Sequence, residues 1–434
     1  MNGFSWMFFA GLSLCLLIDV LFGRRQLAHL MIERARVPEP FREIVSLKTH
    51  ERAVDYAQHS VKLGWTRILA YSVVLLLYTF GGFLNQASEI SNHFPNHPDF
   101  AAFGFILSIW IFHKSIFLGF SLYENFCVNA RYGLPKETVR EFTQNIIKKI
   151  TLLSILCSPV LLLGISILRR WNATGILFIF TALVSAQFLL ARYAAVFILP
   201  FFNRVTPITD ELVIQKIERL LSECRMRPRQ IVVMEDRRTD LKNLGAYFTG
   251  FGRSARIVVF RTVLNKIEIH RLEGIVARLV AYAKMNTVTN GFVLAVVTFW
   301  LPAFLATYAF LTISWFFHGL KLNLSLSAVN CLIVLLLVAP VFGFFLKPIY
   351  NLFLWQKVFK ADRFASERVG IDNYTASLFL QHDHIGCTLL GDPFYEAFHS
   401  SSPSVLKRIS MLNPNLRGPL AARKSLERRD SFGH

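Results

Sequence analysis

Acidic residues are scarce in this sequence, and paired cysteines and several familiar enzyme motifs are missing. The chain has 28 Asp and Glu against 47 Lys and Arg, which gives a formal charge of +19. The six cysteines show no C-x-x-C spacing, which argues against a disulfide framework or a cysteine zinc site. No G-x-x-x-x-G-K or G-x-G-x-x-G phosphate loop and no G-x-S-x-G elbow occurs. The corresponding nucleotide-binding and serine-hydrolase classes therefore have no support.

Apolar residues, by contrast, are abundant. They make up 53% of the chain, and the mean hydropathy of +0.43 is too high for an ordinary soluble protein. The Lys and Arg residues are spread through short loops between apolar runs instead of forming one basic domain. This distribution is typical of a membrane protein that follows the positive-inside rule, and it argues against a nucleic-acid partner.

Seven apolar runs are long enough to be predicted as transmembrane helices. They cover residues 3–22, 68–84, 103–120, 150–168, 173–191, 291–317 and 324–346. The loop 86–100 carries no Lys or Arg and is predicted to lie outside the cytoplasm, whereas Arg169 and Arg170 are the one clear violation of the charge rule. Lys114 lies inside the third run, where it either has a function or reaches towards the interface. The pattern places the amino terminus outside and both soluble segments in the cytoplasm.

The first soluble segment begins with an amphipathic helix that Thr209 or Asp210 can cap. Its apolar stripe consists of Leu212, Ile214, Ile217, Leu220 and Leu221. The runs QIVVMED and RIVVF then predict two strands, with GAYFTGFG between them, and a hairpin leading into the next helix is the simplest arrangement.

The helix predicted over residues 269–287 looks like a metalloprotease active-site helix without its metal chemistry. A motif H-E-x-x-H would place two zinc-binding imidazoles one turn apart, with the Glu as general base. In this sequence the corresponding register reads Arg278, Leu279, Val280, Ala281 and Tyr282. A guanidinium and a phenol therefore replace the imidazoles, and Leu279 supplies no base.

The chain resembles the integral-membrane zinc metallopeptidases of family M48, of the type I CAAX prenyl protease kind in its bacterial form. The resemblance rests on the order and spacing of six segments along the chain. They are VPEPFREIVSLKTHERAVDY, FNRVTPITD, AYFTGFGRSARIVVF, KADRFA, DPFYEAF and SPSVLKRI.

The resemblance implies an active site whose ligand positions are all changed here. The first zinc His falls on Arg278, the general base on Leu279 and the second zinc His on Tyr282, while the third ligand, a Glu, falls on Val358. The oxyanion-binding His falls on Ser402. In the strand that contacts substrate, Gly245 replaces an Asn ahead of Ala246, Tyr247 and Phe248.

The resemblance also implies a mainly α fold, a polytopic membrane protein with about seven transmembrane helices and a cytoplasmic α+β gluzincin-like domain. Residues 1–202 are predicted to form a membrane region with five helices, and 291–346 the last two. Residues 203–290 and 347–434 form two parts of the peptidase-like domain, the second with a basic tail.

The function predicted from these residues is that of a pseudopeptidase without a cofactor, binding or scaffolding membrane or lipidated peptides in a bacterial inner membrane. The alternative is an active membrane metalloendopeptidase with a divergent metal site, and a channel or transporter is a third possibility. Other histidines offer weak metal signals: His382, His384 and His399 near Asp383, and the pair His93 and His97. One further hypothesis is that Arg278 replaces the metal by pairing with Asp362, the alternative being that Arg278 reaches solvent.

Overall fold

A computed structural model of the chain describes residues 2–38, 41–42, 45–92, 96–134, 138–197, 204–208, 210–224, 230–235, 246–249, 256–260, 264, 269–312, 318–324, 327–382, 389 and 391–412. Its helices are α1 Gly3–Glu33, α2 Leu47–Tyr78, α3 Phe83–Asn92, α4 Pro98–Tyr123, α5 Val139–Phe197, α6 Glu211–Glu223, α7 Ile269–Lys284, α8 Thr287–Ala295, α9 Leu301–Thr312, α10 Ala328–Val369, α11 Ile371–His382, α12 Pro393–His399 and α13 Val405–Leu412. Its strands are β1 Arg204–Pro207, β2 Gln230–Glu235, β3 Ala246–Thr249 and β4 Arg256–Phe260. The fold is therefore mostly helical, as predicted.

The chain divides into two compact units. The first, the membrane unit, contains Met1–Gly23, Ser60–Gln187 and Leu294–Lys347. The second, the sheet unit, contains Arg24–His59, Phe188–Val293 and Pro348–His434. Five helices, α1, α2, α5, α8 and α10, contribute residues to both units.

Long apolar helices dominate the membrane unit. Among the described residues six helical windows are long and apolar enough to cross a bilayer: Gly3–Glu33, Leu47–Tyr78, Pro98–Arg131, Ser158–Leu190, Thr287–Ala309 and Ala328–Val369. On α2, Leu69, Val73 and Leu77 recur every fourth residue and are exposed, while Leu75 and Tyr78 are buried. An exposed apolar stripe of this kind suits contact with lipid, so the protein is a multi-pass membrane protein.

The count of six depends on how α5 is divided. Asn172 interrupts this helix with a positive φ of 40°, a left-handed conformation that asparagine tolerates better than most residues. A Cβ added to Gly175 would lie 2.9 Å from the carbonyl oxygen of Ile167, so the chain reverses direction at this point. Ser158–Leu190 thus joins parts of two predicted spans, and seven crossings remain a prediction.

Other predicted boundaries differ from the structure. The second span was predicted to start at residue 68, but α2 begins at Leu47 because its polar first half is also helical. Within the predicted loop 86–100, residues up to Asn92 belong to α3. The basic tail, residues 413–434, and His93 lie outside the described residues.

The four strands form one sheet in the order β1-β2-β4-β3. The hairpin joins β3 to β4, which pair antiparallel, whereas β2 and β4 pair in parallel. A hairpin between QIVVMED and RIVVF is therefore wrong, because GAYFTGFG contributes a strand of its own at the sheet edge.

The helix α6 packs on the core of the sheet unit as its sequence predicts. Asp210 caps it by accepting hydrogen bonds from the backbone N–H groups of Leu212 and Val213. Ile217 and Leu221 lie in a buried cluster with residues of β2, β4 and α7. Leu212 is 63% exposed, so the apolar face is centred on Val213 rather than on Leu212.

Candidate functional site

The helix α7 is held in the sheet unit by its apolar face. Leu272, Ile275, Val276 and Val280 are at most 2% exposed, and they recur at the spacing of one helix face. Gly274 lies against α11 so closely that an added Cβ would be 2.5 Å from Ser377 Oγ. Sequence periodicity thus produces the helix, and a glycine permits its close approach to α11.

The three active-site positions of α7 have different surroundings. Arg278 and Tyr282 lie one turn apart, with Arg278 Cζ 5.9 Å from the centre of the Tyr282 ring. Leu279 is 6% exposed and belongs to the buried face, so an apolar side chain occupies the position of the general base. The Arg278 Nε atom is buried and has no hydrogen-bond partner.

A buried ionic cluster, formed by Asp362, Arg408 and Tyr374, joins α10, α13 and α11. Arg408 donates two hydrogen bonds to Asp362, from Nε to Oδ2 at 2.8 Å and from Nη2 to Oδ1 at 2.7 Å. The Tyr374 hydroxyl donates to Oδ1 at 2.5 Å. The side chains of Arg408 and Asp362 are 3% and 1% exposed, so this is a buried bidentate pair.

The cluster contradicts the hypothesis that Arg278 pairs with Asp362. Arg408 and Tyr374 occupy both carboxylate oxygens of Asp362, and no ion pair joins Asp362 to Arg278 among the described residues. The prediction fails because the α13 helix brings a second guanidinium to the carboxylate from a distant part of the sequence.

The proton affinities of the cluster follow from its burial. Burial by itself lowers the pKa of Arg408, but its hydrogen bonds and charge attraction to Asp362 reverse this and raise the pKa overall. Burial raises the pKa of the Tyr374 and Tyr282 hydroxyls, and the nearby charges of Arg278 and Arg408 oppose this increase. Both phenols therefore stay protonated at neutral pH, and the Tyr374 hydroxyl donates its proton to Asp362.

The remaining predicted site residues are dispersed. Val358 is 8% exposed and lies one turn before Asp362 on α10, so both face the core. Ser402 is exposed in the bend before α13. Ala246, Tyr247 and Phe248 form β3 at the sheet edge, and Gly245 lies outside the described residues.

The histidines considered as weak candidates for metal binding do not form a metal site among the described residues. His399 is exposed at the end of α12, and its Nδ1 lies 3.0 Å from the Tyr395 carbonyl oxygen. His97 is exposed, while Asp383 and His384 lie outside the described residues. Within the described ranges no three His, Cys, Asp or Glu residues are close enough to hold a metal ion.

Sequence reasoning missed Arg408 and Tyr374. One available signal was Asp362, since a carboxylate on an apolar helix face needs a cation and further donors. SPSVLKRI offers two candidate cations, Lys407 and Arg408, and only the fold selects between them. Arg408 turns inward, whereas Lys407 lies over the Trp355 ring, 4.1 Å from its centre.

Comparison with known proteins places the chain in a family. The model described as the CAAX prenyl protease N-terminal region, with five membrane helices, matches residues 26–204, and that of peptidase family M48 matches residues 207–415. A CAAX prenyl protease 1 homolog from Oryza sativa subsp. japonica is 23% identical over 88% of this chain and 92% of its own length. CAAX prenyl protease 1 of Saccharomyces cerevisiae is 25% identical over 68% of each chain.

A solved structure has the same fold. The crystal structure of S. mikatae Ste24p matches with a TM-score of 0.84, covering 95% of this chain and 100% of the other at 20% identity. A likeness at this level of identity shows the fold alone.

These matches contradict two predictions. The relatives are named as CAAX prenyl proteases over most of the chain, so the interpretation as a catalytically degenerate pseudopeptidase is wrong, and an active membrane metallopeptidase is better supported. The prediction that the protein needs no cofactor is wrong for the same reason, because peptidases of family M48 use zinc. Both errors came from treating the absence of one ligand pattern as the absence of the activity.

The residues at the positions implied by the resemblance nevertheless do not fit a zinc ion. Zinc in peptidases takes neutral imidazole and carboxylate ligands, and Arg278, Leu279 and Val358 offer neither. The Tyr282 phenol is kept protonated by burial, and Asp362 is already saturated by Arg408 and Tyr374. We therefore assign no metal and no metal-dependent step to these side chains.

The family itself rests on the whole length of the chain rather than on this one helix. The two family models are contiguous and in the expected order, and the mostly helical membrane fold agrees with them. The chain belongs to peptidase family M48 and carries the amino-terminal membrane region of the CAAX prenyl proteases.

Proposed function

We propose that the protein is a membrane peptidase that acts on prenylated peptides through a metal site different from the family's histidine pattern. The observation that carries this proposal is the family match over residues 26–204 and 207–415. The substrate class comes from the relatives, which are named CAAX prenyl proteases. The exposed apolar surface of the spans supports access from the lipid phase.

The peptide backbone binds along β3. This strand pairs only with β4 among the described strands, so its other edge can pair with an extended peptide. Gly245, Ala246, Tyr247 and Phe248 are the residues that bind it, as the resemblance implies. The helix α7 packs on β3, which brings Arg278 and Tyr282 to the same part of the sheet unit.

Residues 203–290 and 347–434 form one peptidase-like domain in the cytoplasm. The sheet unit, which contains most of both segments, supports their association. The basic loops support the cytoplasmic side. Placement in a bacterial inner membrane follows from the resemblance to the bacterial form, whereas the relatives named above are eukaryotic.

A cleavage assay with purified protein in lipid nanodiscs tests this function. We expect a farnesylated peptide to be cleaved, its non-farnesylated counterpart to be cleaved at least tenfold more slowly, and a chelator to stop both reactions. Elemental analysis of the same sample is expected to give about one metal ion per chain. A folded sample that contains no metal and cleaves neither peptide, even after addition of Zn²⁺, Co²⁺ or Mn²⁺, would contradict the proposal.

Strand pairing is tested separately with methylated peptides. Methylation of a backbone amide that pairs with β3 removes a hydrogen-bond donor, so we expect weaker binding for one of two peptides methylated at adjacent amides. Equal affinity of both methylated peptides and the parent peptide would contradict binding at the strand edge.

A further inference from the structure

The surroundings of Asp362 hold more positive than negative charge. Arg408 neutralises Asp362 through two hydrogen bonds. Arg278 is a second cation close enough to affect the Tyr282 and Tyr374 hydroxyls, the same two phenols on which Arg408 and Asp362 also act. Among the described residues, two guanidinium groups and one carboxylate therefore act on the same two phenols, and only Arg408 is paired with the carboxylate.

Arg278 is the member of this group for which the described ranges supply no partner. Its Nε atom is buried and makes no hydrogen bond, and no ion pair of Arg278 occurs in the described part of the chain. Its contact with the Tyr282 ring, at 5.9 Å, provides no acceptor for an N–H group. A guanidinium stays protonated under all ordinary conditions, so a partly buried one without an acceptor is unfavourable in the ligand-free protein.

Arg278 as a whole is only half-buried. Arg278 retains part of its surface exposed, whereas Leu279 next to it is buried. The fork of a guanidinium matches the two oxygens of a carboxylate, and such charge-assisted pairs are among the strongest hydrogen bonds in proteins. A ligand carboxylate would supply both the missing acceptor and the missing negative charge.

We propose that Arg278 binds the terminal carboxylate of a peptide ligand. The choice of a peptide rests on the proposed function and on β3, the edge strand against which α7 packs. The position that the resemblance assigns to a zinc ligand therefore holds a carboxylate-binding residue in this chain.

Peptide binding tests the ligand class. The probes are a farnesylated tetrapeptide with a free terminal carboxylate and the same peptide with a terminal amide, titrated against the full chain in nanodiscs. We expect the carboxylate form to bind the wild type at least tenfold more tightly. In Arg278→Met the two forms are expected to bind equally. Lys284→Met is the matched control, since it removes one positive charge from the exposed end of the same helix and should leave the preference unchanged.

Thermal unfolding tests the same residue without any peptide. Because Arg278 has no ion-pair partner among the described residues, Arg278→Met is expected to raise the melting temperature of the ligand-free protein. Sodium benzoate, a small carboxylate, is expected to raise the melting temperature of the wild type and to leave that of Arg278→Met unchanged. Sodium phosphate at equal ionic strength should have a smaller effect than benzoate.

The outcomes separate this proposal from the function on which it draws. If neither peptide binds but benzoate stabilises only the wild type, the substrate class is wrong and the carboxylate site stands. A lower melting temperature for Arg278→Met shows that Arg278 has a partner within the protein, and this overturns the proposal. The proposal is also overturned if the wild type binds the acid and amide peptides equally, or if Arg278→Met still prefers the acid. It is overturned as well if phosphate raises the melting temperature of the wild type as much as benzoate does.

Discussion

Hydroxyl groups of α2 in the membrane unit and the buried Asp362 of the sheet unit find their hydrogen-bond partners in different ways. On α2, Ser72 donates to the carbonyl oxygen of Ile68 and Thr79 to that of Leu75, both at 2.9 Å. In the sheet unit, Asp362 depends on residues of two other helices. A partner within four residues forms with the helix, whereas a distant partner requires the complete fold. A site with a local partner and a site with a distant partner should therefore respond differently to loss of one polar group.

The largest expected effect is at Arg408. Arg408→Met leaves Asp362 buried without its cation, and such a change costs about 3–5 kcal/mol of the free energy of unfolding. The additional change Asp362→Asn should recover much of this loss, because the double variant carries no charge at either of these two buried positions. Arg219→Met, in an exposed pair with Glu223, is the control and should cost less than about 1 kcal/mol. Chemical unfolding in detergent measures all three, and equal losses at Arg408 and Arg219 would break the comparison.

A smaller effect is expected where α7 meets α11. In Gly274→Ala the new Cβ would lie 2.5 Å from Ser377 Oγ and 3.0 Å from Ser377 Cβ, so the helices must separate at a cost of about 1–3 kcal/mol. The double variant Gly274→Ala with Ser377→Gly should lose less stability than the sum of the two single variants, because removal of the Ser377 side chain relieves its clash with the new Cβ. Gly64→Ala is the control, since no atom lies within 4 Å of its added Cβ and alanine favours a helix. Unfolding that is unchanged by Gly274→Ala would argue against the close contact.

The contribution of Glu396 to the stability of the folded protein depends on pH. Burial raises the pKa of Glu396 above its ordinary value of 4.5, and only one oxygen, Oε1, accepts a hydrogen bond, from the Ser404 backbone. The folded state thus binds the proton more tightly than the unfolded state, so the contribution to stability is greatest below pH 4.5 and is lost as the pH rises through the folded pKa. Glu396→Gln does not titrate and should gain melting temperature relative to the wild type between pH 4 and pH 7. Glu218 is exposed, so the melting temperature of Glu218→Gln should change with pH as that of the wild type does. The same pH dependence for Glu396→Gln would contradict burial of the Glu396 charge.

The smallest effect is expected in the membrane unit. Ser72→Ala removes a buried hydroxyl, but the Ile68 carbonyl keeps its helical hydrogen bond, so the loss should be about 0.5 kcal/mol. Ser115→Ala, whose exposed hydroxyl donates to Ile111 at the same distance of 2.9 Å, should behave alike. A loss of more than about 2 kcal/mol for Ser72→Ala would show that this hydroxyl also has a distant role.

The same contrast explains how much could be predicted from the sequence. The spans, the Asp210 cap and the apolar face of α6 are local features, and periodicity indicates them. The parallel pairing of β2 with β4 and the choice of Arg408 for Asp362 depend on contacts between distant segments. The pairing of Arg278 with Asp362 was a reasonable prediction from charge alone, and it failed because another helix supplies the same chemical group.

The functional predictions failed for a related reason. The resemblance implies three zinc-ligand positions, Arg278, Tyr282 and Val358, and a general-base position, Leu279. The side chains present there do not suit a zinc ion, but this says nothing about donors elsewhere in the chain. Membership of the family is supported by matches along most of the chain, including the membrane region, and these are stronger evidence than the sequence of one helix.

The reversal at Asn172 has a consequence for how the chain is inserted into the membrane during synthesis. Arg169 and Arg170 precede it, and Asp99 at the start of α4 lies 3.4 Å from the Arg169 guanidinium. Asp99 leaves the ribosome 70 residues before Arg169, so the counterion is made first. The counterion of Arg169 is therefore already part of the nascent chain when the helical pair that meets at Asn172 is completed.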